Sequence, residues 1–158
     1  MPLDPASFRS ALSRFATGIT VLTMRDADGQ DLGMTATAFS SVSLDPPLIL
    51  VCIDWSATMT GPLEQATHFA VHVLGQAQED LSRRFAEKEW NRFSGLPVTR
   101  GVDRLPLLPG ALTCLQCRIQ ARHPAGDHQI IVGEVLDAEV AEGEPLLYFR
   151  GRYARMAR

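Results

Sequence analysis

Cysteine, histidine, aromatic residues and net charge are all scarce in this chain of 158 residues, and each scarcity narrows what it can be. Three cysteines, Cys52, Cys114 and Cys117, leave one thiol over under any pairing, which fits a reducing compartment better than a disulfide framework. A formal net charge of −3 offers no broad positive field for a phosphate backbone or an anionic membrane, although Arg150, Arg152, Arg155 and Arg158 make the tail locally basic. No apolar run approaches the ~18 residues needed to span a bilayer, and Met1-Pro-Leu-Asp-Pro5 lacks a basic segment leading into an apolar one. These features predict a cytoplasmic protein with neither a nucleic acid nor a membrane as partner. There is no GxGxxG or Walker loop either, so any dinucleotide must be held without a Rossmann crossover.

Metal ligands are equally thin. Cys114-Leu-Gln-Cys117 resembles half a zinc site or a redox pair, but Ala111 to Ile119 reads as a strand, where positions three apart point to opposite faces. No second CxxC and no nearby His/Cys cluster completes a ligand set, so strand packing is the reading and no metal site is expected.

What is present is an ordinary globular composition, 46% hydrophobic and 21% charged, of a length that suits a single domain over residues 1–158. Asp4 is placed to cap a helix with Pro5 at its first position; Phe8, Ala11, Leu12 and Phe15 recur at helical spacing before Gly18 closes it. Ile19 to Met24 reads as a strand, Asp28-Gly29 as a turn, and Gln30 to Ala36 as the returning strand of a hairpin. Further strands are expected at Leu48–Ile53, Phe69–Leu74, Ala111–Ala121, Gln129–Val140 and Leu146–Tyr153, with a turn at Gly126-Asp127. Gln76 to Phe85 has the pattern of a short surface helix, and another is expected near Leu63. Residues 86–110, rich in glycine and proline, predict a mobile excursion. The strand count suits a closed or nearly closed barrel.

One segment invites a ligand. Gly33 to Pro47 packs Thr35, Thr37, Ser40, Ser41 and Ser43 among Gly33, Ala36 and Ala38. Small residues let a planar ligand approach the backbone, and short hydroxyls hold a phosphate without a net positive surface. The same alternation equally describes a strand with one wet face.

From Phe8 to Asp54 the chain closely resembles the flavin reductase components of two-component monooxygenases. The resemblance runs through Phe15-Ala-Thr-Gly-Ile-Thr-Val-Leu-Thr23, Gly33 to Pro47 and Leu50-Val-Cys-Ile-Asp54. It continues through Phe69 to Leu74, Leu81-Ser-Arg-Arg-Phe85, Gly126-Asp-His128, Gly133-Glu-Val135 and Pro145 to Tyr153, leaving only residues 86–110 individual. It implies a mainly β fold, an FMN-binding split β-barrel with a few short flanking α-helices, in a homodimer whose flavin site lies near the subunit interface. It further implies an NAD(P)H:flavin oxidoreductase that transfers hydride from NADH or NADPH to FMN or FAD and passes reduced flavin to a partner monooxygenase. By the same resemblance Thr35, Ala36, Thr37 and Ala38 line the isoalloxazine ring, and Ser41 lies nearer the phosphate. Cys52, Ile53 and Asp54 close the site beside ring and ribityl chain. Arg84 and Phe85 stand at the phosphate end, although a solvated helix arginine explains Arg84 equally well. His128 faces the nicotinamide with Tyr148 nearby. His72 departs from the family, which usually carries Asn there, and with His68 and His123 it is assigned a structural role.

Such a reaction needs few catalytic side chains, because the cofactors supply the reactivity and the protein positions two rings in a dry slot. The lack of a Ser-His-Asp or paired-carboxylate arrangement is therefore expected. Two other readings of the same barrel are a flavin carrier without turnover and an oxidase of another small substrate, related to pyridoxine phosphate oxidase.

Overall fold

In the computed structural model, which describes residues 1–88 and 91–157, the Asp4 carboxylate caps helix α1 (Pro5–Leu12). It accepts the Ser7 N–H at 3.0 Å and the Ser7 hydroxyl at 2.6 Å, and Pro5 sits in the first turn, where its missing N–H costs nothing. The helix stops at Leu12, earlier than the spacing out to Phe15 suggests, with Ser13 as its C-cap. None of its residues is buried.

After β1 (Thr17–Gly18), β2 (Thr20–Arg25) and β3 (Asp31–Ala36) form the expected hairpin, with Thr20 opposite Ala36 and Arg25 opposite Asp31. Asp26 closes its turn by accepting the N–H groups of Asp28 and Gln30, and Gly29 supplies a φ of 79°. There follow β4 (Phe39–Ser43), β5 (Leu48–Asp54), α2 (Thr60–Leu63) and β6 (His68–Val73). A 3₁₀ turn at Gln76–Gln78 leads into α3 (Glu79–Ala86), which carries Glu79 and Asp80 in its first turn and Arg83 and Arg84 in its last, both favourable to the helix dipole. Short β7 (Thr99–Arg100) and β8 (Pro106–Leu107) pair with each other. The long hairpin β9 (Thr113–Ala125) and β10 (His128–Val140) turns at Gly126-Asp127 as anticipated.

Leu146 to Tyr153 is not one strand. It is the hairpin β11 (Leu147–Phe149) and β12 (Arg152–Ala154), turning on Arg150 at φ 51° and Gly151 at φ 76°. Together with β1 it forms a small second sheet, ordered β1-β11-β12.

The main sheet runs β3-β2-β6-β9-β10-β5-β4, antiparallel throughout. Its two edge strands, β3 and β4, are consecutive in the chain and joined only by Thr37 and Ala38, so the sheet must curl until its edges meet. Inside the barrel pack Leu22, Met24, Ile49, Val51, Ile53, Phe69, Val71 and Ile131. A second cluster, Ile19, Val21, Leu74, Phe85, Leu108 and Leu146, fills the space between the outer face of β2, α3 and the small sheet. Cys117 belongs to the barrel core while Cys114 does not, as strand alternation requires. All three cysteines are free, and burial pushes the thiols of Cys114 and Cys117 up to about 11 and about 12. No helix among the described residues is long and apolar enough to cross a membrane.

The described part of 86–110 is tied down rather than loose. Phe93, Leu96 and Val98 pack on the second cluster, with the Phe93 ring edge-on to Phe85 at 5.1 Å. Arg100 grips Asp31 through two bonds of 2.6 and 2.8 Å, Thr23 donates to Pro106 O at 2.6 Å, and the Leu108 N–H donates to His72. A mobile excursion is expected from the glycines and prolines alone; the apolar side chains between them decide otherwise.

Candidate functional site

The barrel closes and then splits along one seam. Thr37 and Ala38 link the two edge strands, and the Cys52 N–H, donating to Ala38 O at 3.0 Å, carries the β4–β5 pairing up to that link. Farther from this link, Leu32 and Gly33 of β3 and Thr58, in the turns after β5, line one groove. Thr35, Ala36, Thr37 and Ala38 stand on one side of this seam, and Cys52, Ile53 and Asp54 on the other.

Their side chains divide by strand alternation. Ala36 and Ile53 face the core and are buried, leaving only backbone to a ligand. Thr35 is half-buried and its hydroxyl donates to Ser82 O at 2.6 Å, which ties β3 to α3. Thr37, Ala38 and Ser41 are exposed, and the hydroxyls of Thr37 and Ser41 make no hydrogen bond to the described residues. Cys52 is half-buried, and desolvation raises its thiol above the ordinary value. The Asp54 carboxylate is held below the usual range by the N–H and hydroxyl of Ser56, both 2.8 Å from Oδ1, with a lesser pull from His128.

Gly33 lets α3 approach β3, because a Cβ there would lie 2.6 Å from the Phe85 ring. Phe85 is consequently buried beneath the strand and presents no face to the groove. Arg84 is committed as well: Nε donates to Arg92 O at 2.6 Å and Nη2 to Asn91 O and Ser94 O, so its fork clamps the following loop. A guanidinium that does reach the groove is that of Arg92, which donates through Nη1 to Gly33 O and whose Nε is buried without a partner among the described residues. Desolvation lowers its pKa. It escapes sequence reasoning because it lies in the stretch least like the family and in no motif.

His128 opens β10 directly opposite Asp54 of β5. Its Nδ1 lies 2.6 Å from Asp127 Oδ1; a carboxylate only accepts, so Nδ1 carries the proton and Nε2 is left for a ligand. Polar atoms of Asp54, Asp127 and His128 all lie within 4.8 Å of one another. Trp55, which no sequence motif marks, fixes this turn: its backbone N–H donates to Asp127 O at 3.0 Å and its indole N–H to Gly126 O at 3.2 Å. Tyr148 stands in the small sheet, edge-on to Tyr153 at 5.5 Å, and lines a cavity of about 640 Å³ with Glu79, Arg83, Glu87, Arg152 and Tyr153 that does not include His128. Arg83 lies over the Tyr153 ring at 4.6 Å, and the Tyr153 hydroxyl meets Ser82 Oγ at 2.8 Å. Sequence order therefore brings Thr35–Ala38, Cys52–Asp54 and His128 to one end of the barrel, and leaves Tyr148, Arg84 and Phe85 on or behind α3.

Such a barrel, with a seam of small residues at its open end, belongs to the split-barrel class of flavin-binding proteins, and residues 12–157 match the family described as flavin reductase like domain. The chain belongs to that family. It is 44% identical over 152 residues to the FMN reductase (NADH) SmoA of Agrobacterium fabrum, an alignment covering 96% of this chain and 86% of that one. It is 40% identical over 151 residues to the 4-hydroxyphenylacetate 3-monooxygenase reductase component of Thermus thermophilus, covering 95% of each. Among solved structures, the Streptomyces globisporus C-1027 NADH:FAD oxidoreductase SgcE6, in complex with NAD and FAD fragments, superposes with a TM-score of 0.91 at 36% identity, covering 99% of this chain and 97% of that one.

The seam fits a flavin. Exposed backbone at Thr37 and Ala38 suits the polar edge of a planar ring, and the uncommitted hydroxyls of Thr37 and Ser41 suit its polar substituents.

Proposed function

We propose that this chain is an NAD(P)H:flavin oxidoreductase that passes hydride from NADH or NADPH to FMN or FAD and delivers reduced flavin to a separate monooxygenase. The observation that carries the reading is the bond between Cys52 of β5 and Ala38 of the short link between the two edge strands, which brings the small-residue segment beside β5. Bound side by side, nicotinamide and flavin supply the hydride and its acceptor; the chain's residues position them.

Thr37 and Ala38 offer backbone and hydroxyl groups to the ring edge, and buried Ile53 and Ala36 keep the floor beneath it dry. Cys52 flanks the ring with a protonated thiol. Nε2 of His128, oriented by Asp127 through Nδ1, is assigned to the nicotinamide; Tyr148, which lines a separate cavity beside α3, is not. Trp55 keeps the His128 turn in register with β5. A homodimer is supported by the apolar face of α1, which is exposed among the described residues. Three free cysteines support a cytoplasmic site of action.

Purified protein is expected to oxidise NADH or NADPH only when FMN or FAD is added. Flavin binding without stimulated oxidation by either nucleotide would instead establish a carrier. His128→Ala is expected to raise the apparent nicotinamide KM more than the flavin KM; an unchanged nicotinamide KM removes the role given to His128.

A further inference from the structure

β3 is an edge strand, paired in the main sheet with β2 alone, so its placement depends on what packs against its outer face. α3 packs there. Ser82 and Phe85, three apart and so on one face of the helix, are its buried residues, and both meet β3: Phe85 lies against Gly33, and Ser82 O accepts the Thr35 hydroxyl at 2.6 Å. Gly33 and Thr35, two apart, share the strand face that receives them.

Ser82 is fully buried, and its hydroxyl meets the Tyr153 hydroxyl of β12 at 2.8 Å. One residue thereby joins Tyr153 of the small sheet to Thr35 of the small-residue segment. The Tyr153 ring is fixed in turn by Tyr148, edge-on at 5.5 Å, and by Arg83 at 4.6 Å from its centroid, and Arg83 is held by Glu79 at 3.2 Å. A phenylalanine at this position would fill the same space but leave the buried Ser82 hydroxyl without that partner. The far end of the relay is directional. Thr35 spends its one hydroxyl proton on Ser82 O, so Oγ1 keeps only lone pairs and suits a ring N–H of a flavin.

We propose that Tyr153 is a positioning residue for the flavin, acting through Ser82 to hold the Thr35 hydroxyl oxygen as an acceptor at the ring edge. The inference rests on the flavin reductase reading above. Tyr153 touches no flavin atom in this role; it orders Thr35 before the ligand arrives, and a group already ordered loses less freedom on binding. His128 takes its position from Asp127 and from the turn that Trp55 holds, so the relay bears on the flavin and not on the nicotinamide.

The test is equilibrium titration of FMN and FAD against the purified full chain, followed by flavin fluorescence, with steady-state NADH or NADPH oxidation alongside. Tyr153→Phe is expected to weaken flavin binding about fivefold, the scale of one neutral hydrogen bond, with the nicotinamide KM at saturating flavin unchanged. Ser82→Ala removes the same bond from the helix side and serves as the second variant, with flavin binding expected to weaken in the same measure. A merely structural effect of Tyr153 would persist without the Thr35 hydroxyl, whereas the relay would not. In a Thr35→Val background, where the last link is gone, Tyr153→Phe should therefore change flavin affinity no further. Unchanged flavin affinity in both Tyr153→Phe and Ser82→Ala, an equal rise in flavin Kd and nicotinamide KM, or a full fivefold loss in the Thr35→Val background overturns the proposal. Wild type without flavin-stimulated oxidation of either nucleotide would instead strike the underlying reading, so the two failures are distinguishable.

Discussion

His72 holds a hydrogen bond on each ring nitrogen while fully buried: Nδ1 donates to Val21 O at 3.0 Å, and Nε2 accepts the Leu108 N–H at 3.0 Å. That arrangement needs the neutral ring, since a second ring proton would face the Leu108 N–H. Burial accordingly lowers the pKa to about 4 from an ordinary 6.5. With the folded value depressed, the stability is intact above the unfolded pKa and is lost as pH falls from about 6.5 towards about 4. By about pH 5 the loss is about 2 kcal/mol. His72→Asn retains a donor and an acceptor but does not titrate there. Urea melts at about pH 7.5 and about pH 5 should show wild type losing about 2 kcal/mol more than the variant; equal losses would remove His72 as the source. The sequence marks this residue as a departure from its family but cannot name Leu108 as its partner, because that contact joins positions 36 apart. Thr37, Ala38, Asp54 and His128 are legible for the opposite reason: each sits in a motif whose strand pairing fixes its place. Arg84 is legible as a cation and misleading as a ligand, since its partners are carbonyls that exist only once the loop has folded.

At the level of elements, strands with a clear hydrophobic pattern sit where the sequence puts them, and the irregular pieces do not. The β11–β12 turn is invisible in the sequence because Arg150-Gly151 lacks the Asn-Gly or Asp-Gly signature usual where two successive residues take positive φ. The order of the loop after α3 is equally hidden because its anchors, Phe93 on Phe85 and Arg84 on three carbonyls, are tertiary. Arg84→Ala should release that loop, at a cost of about 2 kcal/mol for bonds from a charged donor. Denaturant unfolding should register the loss, and limited proteolysis should show faster cleavage between residues 91 and 96. An Arg84→Ala protein of wild-type stability but weakened flavin affinity would return Arg84 to the phosphate role.

For the whole molecule, closing a seven-stranded sheet through the two-residue link Thr37-Ala38 creates both the barrel and its seam, and the same closure leaves α1 on the outside. The end of α1 is held by one backbone bond, from the Arg150 N–H to Ser13 O, and its apolar side chains face solvent: Phe8 and Leu12 are each 54% exposed and Phe15 76%. Phe8 and Leu12, four apart, share one helical face. Clustered exposure of that kind is unusual in a monomer and is the pattern of a subunit interface. Light scattering should therefore give a mass about twice the 17.3 kDa of one chain. Phe8→Glu combined with Leu12→Glu places two charges on that face without disturbing any buried contact, so folding stability of the single chain should change by about 0.5 kcal/mol at most. The double variant should run as a folded monomer at micromolar concentration. If it remains a dimer, the interface lies elsewhere, and exposed Leu44 and Val140, at 92% and 84%, become the next residues to charge.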